Sequence, residues 1–253
     1  MAGIEKVTPE RAQRARERQL DYMRSIAREW EGYEAEIVEG MIAKSRRVRD
    51  LLSTVKPVQS TDRALEVGSG GTGIIFNFGT DEGVGVDPLA DDLRQLFPWQ
   101  SKSSVPTVTA GGEDLPFADG EFDIVFSDNV IDHAADPQRI LAEIARVLKR
   151  GGLFYFTVHV HHPIYHYSSL AYGLWRRLGL PGEVTPFADH TVHLTVDAAN
   201  RLFDGLPFRI VTSGTDIEDA KQEARAAKPR HLGDRLKRLF FKNATFEAIA
   251  VRE

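Results

Sequence analysis

ALEVGSGGTG, residues 64–73, is the stretch whose reading decides the fold. Ala64 to Val67 is a short apolar run, and it ends in Gly68-Ser69-Gly70-Gly71-Thr72-Gly73. A buried parallel strand reads as such a run, because both of its faces are covered. Glycines directly after it let the backbone turn tightly and approach a ligand. About twenty residues on, where a second strand would end, stands Asp87, and a carboxylate there can accept hydrogen bonds from two ribose hydroxyls. Glycine loop, strand-to-helix context and spaced acid together point to a nucleotide at the carboxyl end of a parallel sheet. The bland alternative is a tight turn with an exposed Asp87 capping the next helix.

Outward from this stretch the pattern alternates. Gly73–Phe78 reads as a short helix, Gly83–Val86 as a second strand and Pro88–Phe97 as a second helix. Val105–Thr109 and Phe122–Phe126 are the third and fourth strands. Asp136-Pro137 opens a helix with Ile140, Leu141, Ile144, Val147 and Leu148 on one face, and Gly151-Gly152 are expected to stop it. Leu153–Val160 is a fifth strand, Val196–Leu206 a helix, and Phe208–Ser213 and Thr245–Val251 the last two strands. The expectation is one α/β domain over 58–253, a Rossmann-like, doubly wound, mostly parallel seven-stranded sheet with helices on both faces. Residues 161–190, rich in His, Tyr, Trp, Pro and Gly, form an insertion after the fifth strand, and 217–242 a basic helical excursion. Before the domain, Leu20, Met23, Ile26, Ala27 and Trp30 recur at helical spacing, Gly32 interrupts, and Ile37, Met41 and Val48 continue. Residues 1–57 are read as a helical lid.

Two ligand classes fit a glycine loop of this kind. A dinucleotide such as NAD(P) would place its pyrophosphate at the helix start, where Glu66 is unwelcome. The positive sulfur of a sulfonium cofactor would welcome that carboxylate. Four segments, ALEVGSGGTG at 64–73, VGVDP at 84–88, GGEDLPFADGEFDIVFSDNVIDH at 111–133 and DPQRILAEIARVLKRGGLFYFTV at 136–158, carry a resemblance. In order and spacing they resemble the class I S-adenosylmethionine-dependent methyltransferases, in the broad small-molecule branch. The resemblance implies S-adenosylmethionine as cofactor and S-adenosylhomocysteine as product. It implies that Glu66, Gly68, Ser69 and Gly70 line the methionine and ribose side. Asp87, with Pro88 after it, would hold the ribose. Gly112, Glu113, Asp114 and Leu115 would lie along the adenine, and Ser127 and Asp128 would flank the methionine end. Two positions depart from the pattern: the third glycine of the loop falls on Thr72, and Gly111 stands where the family often has an Asp.

Methyl transfer needs alignment and exclusion of water, and a hydroxyl acceptor profits from a general base. Seven of the eight histidines lie between His133 and His193. His133 follows the fourth strand, and His159, His161 and His162 end the fifth, so His133, His161 and His159 are the candidate acceptor-side residues. A metal held by His159, His161 and His162 with Asp189 and His190 is a rival reading, but no compact ligand motif such as HExxH occurs, and no metal is expected. Tyr165, Tyr167, Tyr172 and Trp175 are placed either to stack on a ring-bearing acceptor or to pack the insertion's own core.

A small-molecule acceptor, methylated on an oxygen of a sugar or other biosynthetic intermediate, is therefore expected. RNA- or protein-directed transfer by the same fold and a non-catalytic cofactor-binding module are the alternatives. A net charge of −5 argues against nucleic acid as partner. The absence of cysteine excludes disulfides, thiolate metal sites and cysteine nucleophiles. No apolar run reaches the roughly 20 residues of a membrane span, and the first residues lack a signal-peptide core, so a cytoplasmic location is expected. The cationic stretch 221–242 leaves room for weak peripheral membrane contact.

Overall fold

The computed structural model describes residues 9–131, 134, 136–163, 194–226 and 244–253. Two helices open the described chain, α1 (Pro9–Glu29) and α2 (Glu34–Ser53), joined at Gly32, whose φ of 87° is the left-handed turn that the sequence marks with glycine. Then come β1 (Arg63–Val67), a 3₁₀ turn (Ile74–Asn77), β2 (Glu82–Val86), α3 (Ala90–Leu96), α4 (Pro98–Lys102), β3 (Thr107–Val108) and β4 (Phe122–Asp128). The rest are α5 (Pro137–Val147), β5 (Leu148–Val160), α6 (Val196–Arg201), β6 (Phe208–Thr215), α7 (Ile217–Ala226) and β7 (Ala244–Arg252).

The seven strands form one sheet in the order β3-β2-β1-β4-β5-β7-β6. β1 to β5 pair in parallel, whereas β7 is antiparallel to both of its neighbours, β5 and β6. The chain reverses its direction of travel across the sheet between β1 and β4. Their carboxyl ends diverge there into a crevice, where open α/β sheets take their ligands.

Strand alternation sorts the core into two faces. On one, Leu65, Val67, Val125, Phe154, Phe156, Val158, Phe246 and Ala248 pack with Ile140, Leu141, Ile144 and Val147 of α5 and Ala199 of α6. On the other, Ala64, Ile124, Phe126, Leu153, Tyr155 and Ile249 meet Val48 and Leu52 of α2 and Ile74, Ile75 and Phe78 around the 3₁₀ turn. Coverage on both faces explains why the central strands read as continuous apolar runs. The helical periodicity of α1 is spent elsewhere: Leu20, Met23, Ile26 and Trp30 pack on Leu89, Leu93, Phe97 and Trp99, in and around α3 and α4.

Several boundaries differ from the sequence expectation. α5 is capped as expected, the Asp136 carboxylate accepting from Arg139 N at 3.2 Å with Pro137 in the first turn. It does not run to Gly151-Gly152. It ends at Val147, and Leu148 already pairs with Phe122. The glycines instead absorb an irregularity inside β5, since the next paired residues are Ile124 and Leu153 and Gly151 has φ 73°. β3 shrinks to two residues, the helix after Val196 stops at Arg201, and α4 appears where no element was expected. α7 covers the start of the expected basic excursion, and 227–243 lies outside the described residues, as does 164–193, most of the expected insertion. Among the described residues, no helix is long and apolar enough to cross a membrane.

Candidate active site

The glycine loop leaves β1 at the reversal point. Gly68 (φ 76°) and Gly70 (φ 53°) occupy left-handed conformations. At Gly68 a Cβ would also lie 2.3 Å from Val130 Cγ2, so this glycine serves the approach of the segment after β4. Around Gly70 the nearest atom to such a Cβ is Gly68 O at 4.0 Å, which leaves open space over the loop. Gly73 is required for a different reason: a Cβ there would strike Glu66 Oε2 at 2.5 Å. Glu66 is buried and its Oε2 accepts from Ile75 N at 2.9 Å, so this carboxyl ties the strand end to the 3₁₀ turn. Burial pushes it up to about 8, against the lowering effect of the Ile75 amide.

Asp87 stands just past β2 and is 5% exposed. Oδ2 accepts from Gly70 N at 3.0 Å and Oδ1 from Leu89 N at 2.8 Å. The carboxylate thus holds both the turn before α3 and the glycine loop; it is neither exposed nor the cap of α3, as the bland alternative would have had it. Burial raises its affinity for a proton, and the two amides oppose that rise. A carboxylate offers about four accepting positions, so two oxygen lone pairs stay available beside the open space at Gly70. The loop is held from its outer side too: α4 donates Trp99 Nε1 to Gly71 O at 2.7 Å and Gln100 Nε2 to Gly70 O.

The segment after β3 is clamped by α5. Arg139 Nε donates to Glu113 O at 2.7 Å, Glu143 Oε2 accepts from Leu115 N at 2.9 Å, and Arg146 reaches Leu115 O and Phe117 O at 2.9 and 2.7 Å. Its bond to Arg146 holds the Glu143 carboxyl below the usual range. Gly112 packs on the core, where a Cβ would meet Val67 Cγ1 at 2.8 Å, and the Asp114 side chain is exposed. The amide of Leu115 is therefore already engaged. None of these α5 contacts was anticipated, although the spacing of Arg139, Glu143 and Arg146 on one side of a strongly patterned helix was visible.

At the end of β4, Ser127 is fully buried and Asp128 partly so. Asp128 Oδ1 accepts from Thr157 Oγ1 at 2.7 Å, and Oδ2 pairs with Lys44 of α2. Asn129 follows with φ 59°, the one non-glycine in the left-handed region among the described residues. Strain of this kind collects at sites of function, and Asn tolerates it better than most residues. Ser127 Oγ and Asn129 Oδ1 are buried without a hydrogen-bond partner among the described residues. Buried polar atoms are normally satisfied, so this pair marks where a ligand or water belongs. Asp128, Thr157 and Glu247 are register partners across β4, β5 and β7 and form a polar row on the face that α2 covers. Arg47 forks onto Glu247 with both bonds at 2.8 Å, and Tyr155 Oη donates to Glu247 at 2.7 Å. Burial works to raise the Glu247 carboxyl, but the Arg47 and Tyr155 bonds outweigh it and leave it below the usual range.

His159 sits on β5 opposite Thr245, on the α2 side by alternation with Tyr155 and Thr157. His161 is 4% exposed one residue past β5, its amide bonded to Leu194 O at 2.8 Å. His133, His166, His190 and His193 lie outside the described residues, as do Asp189 and the aromatic residues Tyr165, Tyr167, Tyr172 and Trp175. Among the described residues, no three His, Asp or Glu side chains come together as metal ligands do. The structure therefore assembles Gly68, Ser69, Gly70, Asp87, Pro88, Ser127 and Asp128 around the sheet reversal, with Gly112–Leu115 clamped beside them. The open glycine loop, the anchored acid and the two buried oxygens without a partner among the described residues fit a nucleoside cofactor.

Comparison with known proteins agrees. Residues 65–156 match the family model described as a methyltransferase domain. An uncharacterized methyltransferase of Mycolicibacterium gilvum is 41% identical over 92 residues, 35% of this chain and 36% of that protein. The sarcosine/dimethylglycine N-methyltransferase of Halorhodospira halochloris is 45% identical over 53 residues, 21% of this chain and 19% of that one. In fold, the chain is similar to the geranyl diphosphate C-methyltransferase of Streptomyces coelicolor A3(2), solved with Mg2+, geranyl diphosphate and S-adenosyl-L-homocysteine. That match has a TM-score of 0.58 and 16% identity, and covers 87% of this chain and 84% of that one. The matches span less than half the length of the curated relatives. With the sheet order, the anchored acid and the family match in agreement, residues 65–156 form a class I S-adenosylmethionine-dependent methyltransferase domain.

Proposed function

We propose that this protein transfers the methyl group of S-adenosylmethionine to a small-molecule acceptor, on an oxygen of a sugar or another biosynthetic intermediate. The observation that carries the cofactor half is Asp87, held by Gly70 N and Leu89 N at the mouth of the sheet reversal with accepting capacity to spare. For the acceptor half, support comes from the side chains at the carboxyl ends of β4 and β5, where Asp128, Thr157, His159 and His161 lie next to one another in register or sequence. The named activity of the Halorhodospira halochloris relative, on a small amine-bearing molecule, favours the small-molecule class.

The cofactor supplies a methyl group on positively charged sulfur, already activated for in-line displacement. The chain's own residues then have three tasks. Asp87 and the glycine loop fix the nucleoside, so that the reacting carbon has a defined position. Ser127 Oγ and Asn129 Oδ1, buried and without a partner among the described residues, would orient the polar end of the cofactor or the acceptor. His161 or His159 would take the proton from the acceptor hydroxyl, while the sulfur would leave with its electron pair as the thioether of S-adenosylhomocysteine; His133 is the further candidate from the segment after β4. Residues 1–57 are proposed to cover the cleft, α2 doing so through Lys44 and Arg47.

Calorimetry with S-adenosylhomocysteine tests the first task. Wild-type protein is expected to bind it and to ignore NAD, and Asp87→Ala to bind it at least tenfold more weakly; unchanged affinity in that variant removes the ribose assignment. Transfer of labelled methyl from S-adenosylmethionine to a panel of hydroxylated and amine acceptors tests the second half. His161→Ala should slow turnover without loosening the cofactor. Transfer to RNA or protein in place of every small molecule would overturn the acceptor class.

A further inference from the structure

The helix α4, only five residues long, has no place in the cofactor contacts expected from the sequence, yet it makes two side-chain bonds to consecutive carbonyls of the glycine loop. Gln100 Nε2 donates to Gly70 O, and Trp99 Nε1 donates to Gly71 O at 2.7 Å. Gln100 is 5% exposed, so its amide is committed to this role rather than to solvent. Phe97, which opens α4, closes the same corner, since a Cβ on Gly71 would lie 2.4 Å from its ring. The opposite side of the loop is held by Asp87, through Gly70 N.

Peptide planarity turns these bonds into an orientation device. In a trans peptide the C=O and the following N–H point in opposite directions. Fixing Gly70 O and Gly71 O onto α4 therefore aims the N–H groups of Gly71 and Thr72 away from α4. A glycine-rich loop has little else to choose between peptide orientations, because the missing side chains leave both signs of φ open. A flipped peptide would instead turn a carbonyl oxygen out of the α4 contact and a donor into it.

The corner is also the landing point of the N-terminal helix. Trp30, just past α1, meets Phe97 at a ring-centroid distance of 5.9 Å and Trp99 at 6.1 Å, and Phe97 stacks on Trp99 at 5.1 Å. Leu20, Met23 and Ile26 extend the same contact over α3 and α4. α1 is thus connected to the glycine loop through the Trp99 indole and the Phe97 ring.

We propose that Trp99 and Gln100 are positioning residues for the cofactor loop, and that the contact of Trp30 with Trp99 makes cofactor affinity depend on the docking of α1. The proposal rests on the reading of the glycine loop as a S-adenosylmethionine site. Two conservative variants test it in the full-length protein. Trp99→Phe keeps an aromatic ring in the cluster but removes the N–H with part of the indole, and Gln100→Met keeps length and removes the amide. Each should weaken S-adenosylhomocysteine binding about fivefold, the effect of one hydrogen bond. The ligand-free melting temperature separates loop orientation from general damage. Gln100→Met leaves the ring cluster whole, so it decides the matter if Trp99→Phe melts early.

A spectroscopic readout isolates orientation from stability. With Trp30→Phe and Trp175→Phe, Trp99 is the only indole, and its emission should shift when S-adenosylhomocysteine saturates the protein. In a cycle of Trp30→Ala and Trp99→Phe the losses in affinity should be less than additive, because part of what Trp30 contributes passes through Trp99. Wild-type affinity in both conservative variants, or additive losses in the cycle, would overturn the proposal. Failure of the wild-type protein to bind S-adenosylhomocysteine would instead sink the cofactor reading itself.

Discussion

The two faces of the sheet are built on different terms near its carboxyl end. The face under α5 is apolar from end to end: Phe154, Phe156, Val158 and Val160 of β5 and Phe246 of β7 are all buried among hydrophobic neighbours. The face under α2 begins the same way, with Val48 and Leu52 against Phe126 and Leu153, and then changes character. Toward the cleft it carries the row Asp128, Thr157 and Glu247, met by Lys44 and Arg47 one helical turn apart on α2. An apolar contact is non-directional and stabilises in proportion to buried area. A row of paired charges adds little net stability but fixes orientation and holds polar atoms at the cleft. One face therefore supplies stability, and the other places chemistry.

This contrast is broken most severely from the apolar side. Phe156→Ala is expected to lower unfolding free energy by about 3–5 kcal/mol, read by urea denaturation. The fraction still folded should bind S-adenosylhomocysteine with affinity within twofold of wild type. A pH series sharpens the opposite side. The Glu66 carboxyl starts from 4.5 in the unfolded chain and is pushed up to about 8 by burial. Between those values the folded protein keeps a proton that the unfolded chain has lost, so this group's contribution to stability declines as pH rises through the window and is complete only below it. Glu66→Gln should flatten the fall in melting temperature between pH 5 and 8, while Gln still accepts from Ile75 N. An equally steep fall in the variant would show that the carboxyl is ionised throughout.

Glu247→Ala leaves the buried Tyr155 hydroxyl without its acceptor and should lower stability by about 1–3 kcal/mol, with Tyr155→Phe in the same background restoring part of the loss. The smallest effect on stability is expected for Lys44→Met. Its ion pair with Asp128 is half in solvent, so the unfolding midpoint should move by no more than about 1 kcal/mol, and by less in high salt. If the polar row places chemistry, Lys44→Met should nevertheless alter methyl transfer. A variant with altered stability and unaltered transfer would erase the distinction between the faces.

The strands buried on both sides, β1, β4 and the body of β5, were legible because coverage on both faces writes itself as an unbroken apolar run, and β2, β6 and β7 were also read to within two residues of their bounds. The glycine loop and Asp87 were legible for a related reason, since tight backbone geometry at a strand end admits few residue types. Asp136-Pro137 announced α5 through local capping chemistry. The end of α5 was misread because two glycines serve equally as a helix stop or as the kink of a strand. The local sequence did not show that Leu148 would already be pairing with Phe122.

Thus the chain order of elements, the nucleotide loop and its acid were determined by local physics: steric limits on backbone angles, capping, and hydrophobic periodicity over a few residues. Only the tertiary structure decided that β7 inserts antiparallel between β5 and β6, that Arg139, Glu143 and Arg146 clamp the segment after β3, and that Lys44 meets Asp128 across 84 positions of chain. The grip of Trp99 and Gln100 on the glycine loop belongs with these. Each of these contacts joins residues far apart in sequence, and no local pattern encodes a pairing whose partners are brought together only when the whole sheet closes over its two layers of helices.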